Sequence, residues 1–199
     1  MHPAPGFRWE DEGEILAFIA QIAFCTICVN GPHLVHVPVT VVGSDRLRFH
    51  VSRATRAASQ LDGARALVSC LGPDAYISPD WYGTADQVPT WNYVAAEAEG
   101  PLRRLSEAEL IAQLDALAAD HEARLAPKPA WTREKMDRVR FEALVKAVTG
   151  YELAIETLRG TRKLGQTKNA AERAGSVAGL EGAGRADMAA LMRAEYGKI

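Results

Sequence analysis

The stretch from His33 to Val42 constrains this chain more than any other. Val35, Val37, Val39 and Val41 alternate there with His36, Pro38 and Thr40. A period of two puts the valines on one face and the other three residues on the opposite face. β-Branched side chains are stiff at χ1 and fit a pleated surface better than a helix. Residues 24–29 read as a preceding strand, with Asn30-Gly31 as the hairpin turn between them. Gly43-Ser44-Asp45 then turns the chain into a third strand over 47–51. Strands joined by turns this short pair antiparallel.

The remaining elements are arranged around that core. Residues 10–23 read as a helix: Ile15, Leu16, Ile19 and Ile22 recur at helical spacing behind Glu10, Asp11, Glu12 and Glu14, which suit a helix N-terminus. Residues 53–61 suggest a short helix stopped at Gly63, and 65–71 a fourth strand. Residues 91–105 read as a long strand with Trp91, Tyr93 and Ala95 on one face. Ser106 and Glu109 form a capping box for a helix that reaches about Leu125 and is broken by Pro127-Lys128-Pro129. Thr132 is placed to cap another helix ending near Thr149-Gly150, and 151–158 alternate as a strand. A basic patch (Arg159, Arg162, Lys163 and Lys168) precedes an Ala- and Gly-rich tail that reads as two weak helices from Ala170 onward. Hairpin-linked strands with few helices predict a mainly β chain, a small antiparallel barrel with peripheral helices. Residues 1–169 would form the barrel domain and 170–199 a helical extension.

Bulk properties narrow the functional classes. The chain has 199 residues, 48% hydrophobic and 24% charged, which is ordinary for a globular protein. A net charge of −2 gives no nucleic-acid footprint, so DNA binding is possible but supported by neither charge nor motif. No apolar run is long enough for a membrane helix, and the start lacks the apolar core of a signal peptide. With three cysteines, an odd number, the expected setting is cytoplasmic with reduced thiols. Cys25-Thr26-Ile27-Cys28 has redox-pair spacing, but an offset of three in a strand sends the two thiols to opposite faces. The same geometry scatters Cys25, Cys28, His33 and His36, so no metal site is expected.

Several residues carry chemistry. His50-Val51-Ser52-Arg53-Ala54-Thr55 lies where the third strand ends; a guanidinium, two hydroxyls and free N–H groups suit a phosphate, although an exposed arginine beside a cap fits the pattern equally well. Pro38 is disfavoured inside a ladder, so its strand should lie at an edge or face a ligand, while His36 alone is more commonly a structural residue. The richest segment is aromatic: Pro73-Asp74-Ala75-Tyr76-Ile77-Ser78-Pro79-Asp80-Trp81-Tyr82-Gly83, then Val88-Pro89-Thr90-Trp91-Asn92-Tyr93. Rigid aromatics with polar tips suit a flat ligand; plugging a barrel end is the plainer use.

In their order, the aromatic block, His36-Val37-Pro38, His50-Val51-Ser52-Arg53-Ala54 and Lys163-Leu164-Gly165-Gln166 resemble the PaiB-type FMN-binding negative transcriptional regulators. The resemblance runs from about Phe7 to Arg173. It implies an FMN-binding split β-barrel related to pyridoxamine-phosphate oxidase, a homodimer with FMN at the subunit interface. It further implies that Ser52, Arg53 and Thr55, within the run begun by His50, hold the phosphate. His36 and Val37 would follow the ring, with Trp91, Lys163 and Gln166 on the far side. The family commonly has Asn-Pro-Gln-Trp where this chain has Thr55-Arg56-Ala57-Ala58, and Gly165 where a serine is usual. Three functions follow as alternatives: a flavin-binding regulator, an FMN-dependent oxidoreductase of a small molecule, or an interaction module without the cofactor.

Overall fold

The computed structural model describes residues 1–29, 31 and 33–197; Asn30 of the expected hairpin turn lies outside them. Among the described residues the strands are β1 (Arg8–Trp9), β2 (Phe24–Val29), β3 (His33–Val42), β4 (Arg46–Ser52), β5 (Arg65–Ile77), β6 (Thr90–Arg104), β7 (Val148–Ala154) and β8 (Thr157–Lys163). The helices are α1 (Glu12–Ile22), α2 (Glu107–Ala123), α3 (Arg138–Ala147), α4 (Ala170–Gly182) and α5 (Ala186–Tyr196). None is long and apolar enough to cross a membrane. The chain divides into two compact units.

The barrel unit comprises Glu12–Cys70 and Glu97–Leu158. Its strand neighbours are β5–β2, β2–β3, β3–β4, β4–β7 and β7–β6. β6 is also hydrogen-bonded to β5, so the pairings return on themselves and form a closed ring of six strands. The Leu102 N–H donates to the Ala64 carbonyl at 2.7 Å where that ring closes. The alternation in β3 works as the sequence implies: Val35, Val37 and Val39 are buried inside, with Ile27, Leu47, Phe49, Val68 and Leu153 around them. Closure removes the free sheet edges that an open sheet of this length would carry.

Cys25 and Cys70 are joined by a disulfide with Cα atoms 4.7 Å apart, contrary to the expectation of reduced thiols. Thr26 lies opposite Ser69, so the two cysteines face one another across β2 and β5 and point inward together. An odd cysteine count carries no information about such a juxtaposition. Cys28 remains free on the opposite face of β2.

Outside the barrel, α2 is fixed to the sheet by charge. Glu152 of β7 is 7% exposed and accepts from Arg48 Nε at 2.7 Å and from Arg103 at 2.8 Å. Arg103 also bonds Glu109, whose carboxylate closes the Ser106 capping box as the sequence predicts. Burial opposes the Glu152 charge, but the two arginines outweigh it and hold its carboxyl below the ordinary value.

Two expected helices differ. Residues 53–61 form turns and one short 3-10 segment, Ala58–Gln60. Beyond Ala57 and Leu61 nothing in that stretch repeats at helical spacing to bury a face. Thr132 precedes only a 3-10 turn and makes no cap bond; α3 starts at Arg138 behind the cap Asp137, whose carboxylate accepts from the Arg140 N–H.

The other unit comprises 1–11, 71–96 and 159–197. β5 extends to Ile77, so the aromatic segment begins inside a strand and turns only at Pro79–Tyr82. β1 pairs with β8, in which Lys163 is the last residue. The Gly-rich tail forms two ordered helices. A Cβ on Gly179 would come within 2.2 Å of the Trp81 ring, and one on Gly175 within 2.0 Å of the Trp81 carbonyl. These glycines thus let α4 lie directly on the aromatic turn. A second capping box, Asn169 with Glu172, starts that helix.

Candidate functional site

The ladder between β3 and β4 stops early. Val39 pairs with Phe49, and β4 continues against β7 through Ser52, but no residue of β3 before Val39 pairs with β4. The next pair would join Pro38 to His50, and proline has no N–H to give. The Val39 N–H donates to Ala23 on the β2 side, so by alternation the backbone of His36 and the carbonyl of Pro38 face the unpaired side. A seam therefore opens between His33–Val37 and the end of β4. β3 is not an edge strand as a whole, since it pairs with β2 and β4, but on the β4 side it is unpaired from Pro38 back to His33.

Six of the nine expected site residues line the two sides of this seam. On β3, His36 is exposed, and its Nδ1 lies 2.9 Å from Thr26 Oγ1. Val37 is 6% exposed, points into the core and pairs with Cys25, so by the same alternation its backbone faces β2 and it borders the seam without offering it a polar group. Across the seam His50 is half-buried, and Ser52 and Arg53 are exposed. The Ala54 N–H donates to Ser52 Oγ at 3.3 Å and the Thr55 N–H to the Ser52 carbonyl at 3.0 Å, a tight turn with its hydroxyls outward. Arg53 Nε donates to the Val148 carbonyl at 3.1 Å, which anchors the guanidinium and leaves its terminal nitrogens for an anion.

Charges of both signs act at this end of the barrel. Tyr151 lies between Arg53, Arg104 and Asp62; burial first, and Asp62 next, raise its hydroxyl above the ordinary value while the two arginines pull the other way. Arg104, which the sequence reading passed over, therefore adds a second positive charge to the barrel end. Among the described residues Arg56 is exposed with no ion pair.

Several buried polar atoms have no hydrogen-bond partner among the described residues: His50 Nδ1 at the seam, His33 Nδ1 and Thr40 Oγ1 elsewhere on β3, and both amide atoms of Gln113 and His121 Nε2 on α2. Burial pulls the His50 imidazole below its ordinary value, and the amide of Gln113 on α2 acts in the opposite direction without reaching hydrogen-bond geometry. Buried polar groups of this kind are ordinarily satisfied by water or by a bound group. Free hydroxyls, a guanidinium and open backbone groups suit FMN, which has a phosphate at one end and a hydrogen-bonding ring at the other.

The remaining three expected residues lie in the other unit. Trp91 is 51% exposed, stacks edge-on with Tyr76 at 6.0 Å and donates to Asp74 at 2.7 Å. Lys163 donates to Thr90 Oγ1 at 2.5 Å, and burial pulls its ammonium below the ordinary lysine value. Gln166 is committed to its own turn: its amide donates to the Arg162 carbonyl at 2.6 Å and accepts from the Leu164 N–H at 2.8 Å. Gly165 has a φ of +81° and sits beneath the Tyr196 hydroxyl, so this chain has glycine where the turn requires it.

Comparison with known proteins gives the chain's family and fold. Residues 1–157 match the family described as "Putative FMN-binding domain". The chain is 30% identical over 170 residues to protease synthase and sporulation protein PAI 2 of Bacillus subtilis, covering 82% of this chain and 81% of that protein. Two solved structures share the fold. One is an FAD- and heme-binding protein from Mycobacterium smegmatis (TM-score 0.58, 21% identity, 83% of this chain and 77% of that one). The other is a flavocytochrome from Azotobacter vinelandii (TM-score 0.62, 14% identity, 87% and 78%).

Proposed function

Because this chain belongs to the family of FMN-binding domains, we propose that it holds FMN at the β3–β4 seam, as a homodimer, and acts as a flavin-binding regulator. The observation that carries the reading is the interrupted ladder, with anion-binding groups at one end and His50 with an unpartnered Nδ1 beside it. Ser52, Arg53 and Thr55 hold the phosphate, with Arg104 adding charge. The backbone of His36, with Val37 beneath it in the core, and the imidazole of His50 meet the ring. When bound, FMN supplies electron transfer at that ring. Trp91 and Lys163 are the ligand-contact candidates of the other unit, an exposed indole and a desolvated ammonium.

The regulatory part rests on the Bacillus relative, whose name ties that protein to protease synthesis and sporulation. The dimer is supported by an exposed apolar sheet face. Phe24, opposite Pro38, is 64% exposed, and Leu34, opposite Cys28, is 53% exposed. A second copy covers such a face most simply through a two-fold contact.

The test is the visible absorption spectrum of the purified protein, followed by fluorescence titration with FMN and riboflavin. Saturation near one FMN per chain supports the seam. A colourless protein that FMN does not saturate refutes it.

A further inference from the structure

A groove of ≈ 460 Å³ lies between α2 and α3 in the barrel unit, on different residues from the seam. Its floor is apolar, formed by Ile111, Met136, Phe141 and Val145. Most charges around it are already matched. Arg138 donates to Glu142 at 2.8 Å, and Arg133 lies 3.4 Å from Asp115 with its guanidinium over the Phe141 ring. Two are not: Glu107 and Lys146 line the groove, and among the described residues neither has an ion pair or a side-chain hydrogen bond.

One of these unmatched charges comes from each helix. Glu107 precedes Leu110 by one helical turn, Lys146 follows Val145, and Leu110 and Val145 pack in one cluster. The groove thus combines one unmatched acid and one unmatched base with an apolar lining. A ligand with a single charge would leave the other group unanswered, and an uncharged one would leave both. An ammonium and a carboxylate on one carbon, with an apolar side chain attached, satisfy all three features. The volume is within the usual range for small-molecule sites and accommodates a large side chain.

We propose that the α2–α3 groove binds a free apolar α-amino acid, its ammonium on Glu107, its carboxylate on Lys146 and its side chain along Ile111 and Phe141. The site is separate from FMN binding and stands or falls independently of it.

Isothermal titration calorimetry on the full chain tests this with L-phenylalanine and L-leucine against phenylacetate and phenethylamine, each of which lacks one of the two charges. Saturable binding of the amino acids is expected, weakened about fivefold by Glu107→Gln and by Lys146→Met, with the single-charge analogues weaker by a similar factor. Both substituted side chains are exposed, so the variants should keep the wild-type circular dichroism and melting curve. Absence of saturation by both amino acids overturns the proposal. So does binding that neither substitution changes, or phenylacetate binding as tightly as L-phenylalanine.

Discussion

At the scale of single residues, Arg53 separates the two parts of the ligand. Its guanidinium is anchored by the Val148 carbonyl but otherwise open, so it should contribute to the phosphate and little else. Arg53→Ala is expected to cost FMN about 2 kcal/mol, roughly thirtyfold in affinity, while riboflavin, which lacks the phosphate, changes little. Equal losses in paired fluorescence titrations would assign Arg53 to the fold. His50 gives a pH signature. Its folded-state pKa lies below the ordinary 6.5, so on acidification the unfolded chain takes up the proton first. Stability should be fully present above that value and decline below it, with a limiting slope of about 1.4 kcal/mol per pH unit. Urea unfolding between neutral and mildly acid pH measures it, and His50→Phe should flatten the slope. Much of this site was legible. The run from His50 to Thr55 has the chemistry of an anion site in its own letters. Gln113 and Arg104 were not legible, because each matters only through what a distant strand or helix places beside it. Gln166 carried a signal that pointed elsewhere, since its amide is consumed by the turn that its neighbours form.

At the scale of elements, periodicity succeeded where a face is buried and failed where backbone approach decides. The valines of β3 and the capping box of α2 appear where the sequence puts them. The tail looked weak because glycine lowers helix propensity, yet α4 forms because its glycines make room for Trp81. This competition predicts a sign. Gly179→Ala should gain about 1 kcal/mol of helix propensity and lose more through the clash with the indole, for a net destabilisation of about 1–3 kcal/mol. Gly182→Ala, where an added Cβ meets nothing within 4 Å, should be neutral or stabilising. Thermal melts of the two variants together distinguish packing from propensity. The short segment 53–61 shows the converse: residues acceptable in a helix form turns when no apolar stripe gives them a surface to pack on.

At the scale of the whole molecule, the outer face of β2 and β3 is the part that the sequence least explains, because alternation predicts a polar exterior and Phe24 and Leu34 are exposed there. If a second copy covers them, Phe24→Glu should convert a dimer to a monomer in light scattering coupled to size exclusion, with the folded signal of the chain retained. A wild-type monomer would remove the argument for this face. The gap in the β3–β4 ladder has one more consequence. A closed ring has no edge to offer another chain, but this ring contains one between His33 and Val37, where backbone groups lack a neighbouring strand. Such an edge is a template on which a stranger's strand can add. A cofactor lying along it would act as a chaperone for its own host, and chain made without flavin should aggregate sooner than chain refolded with it.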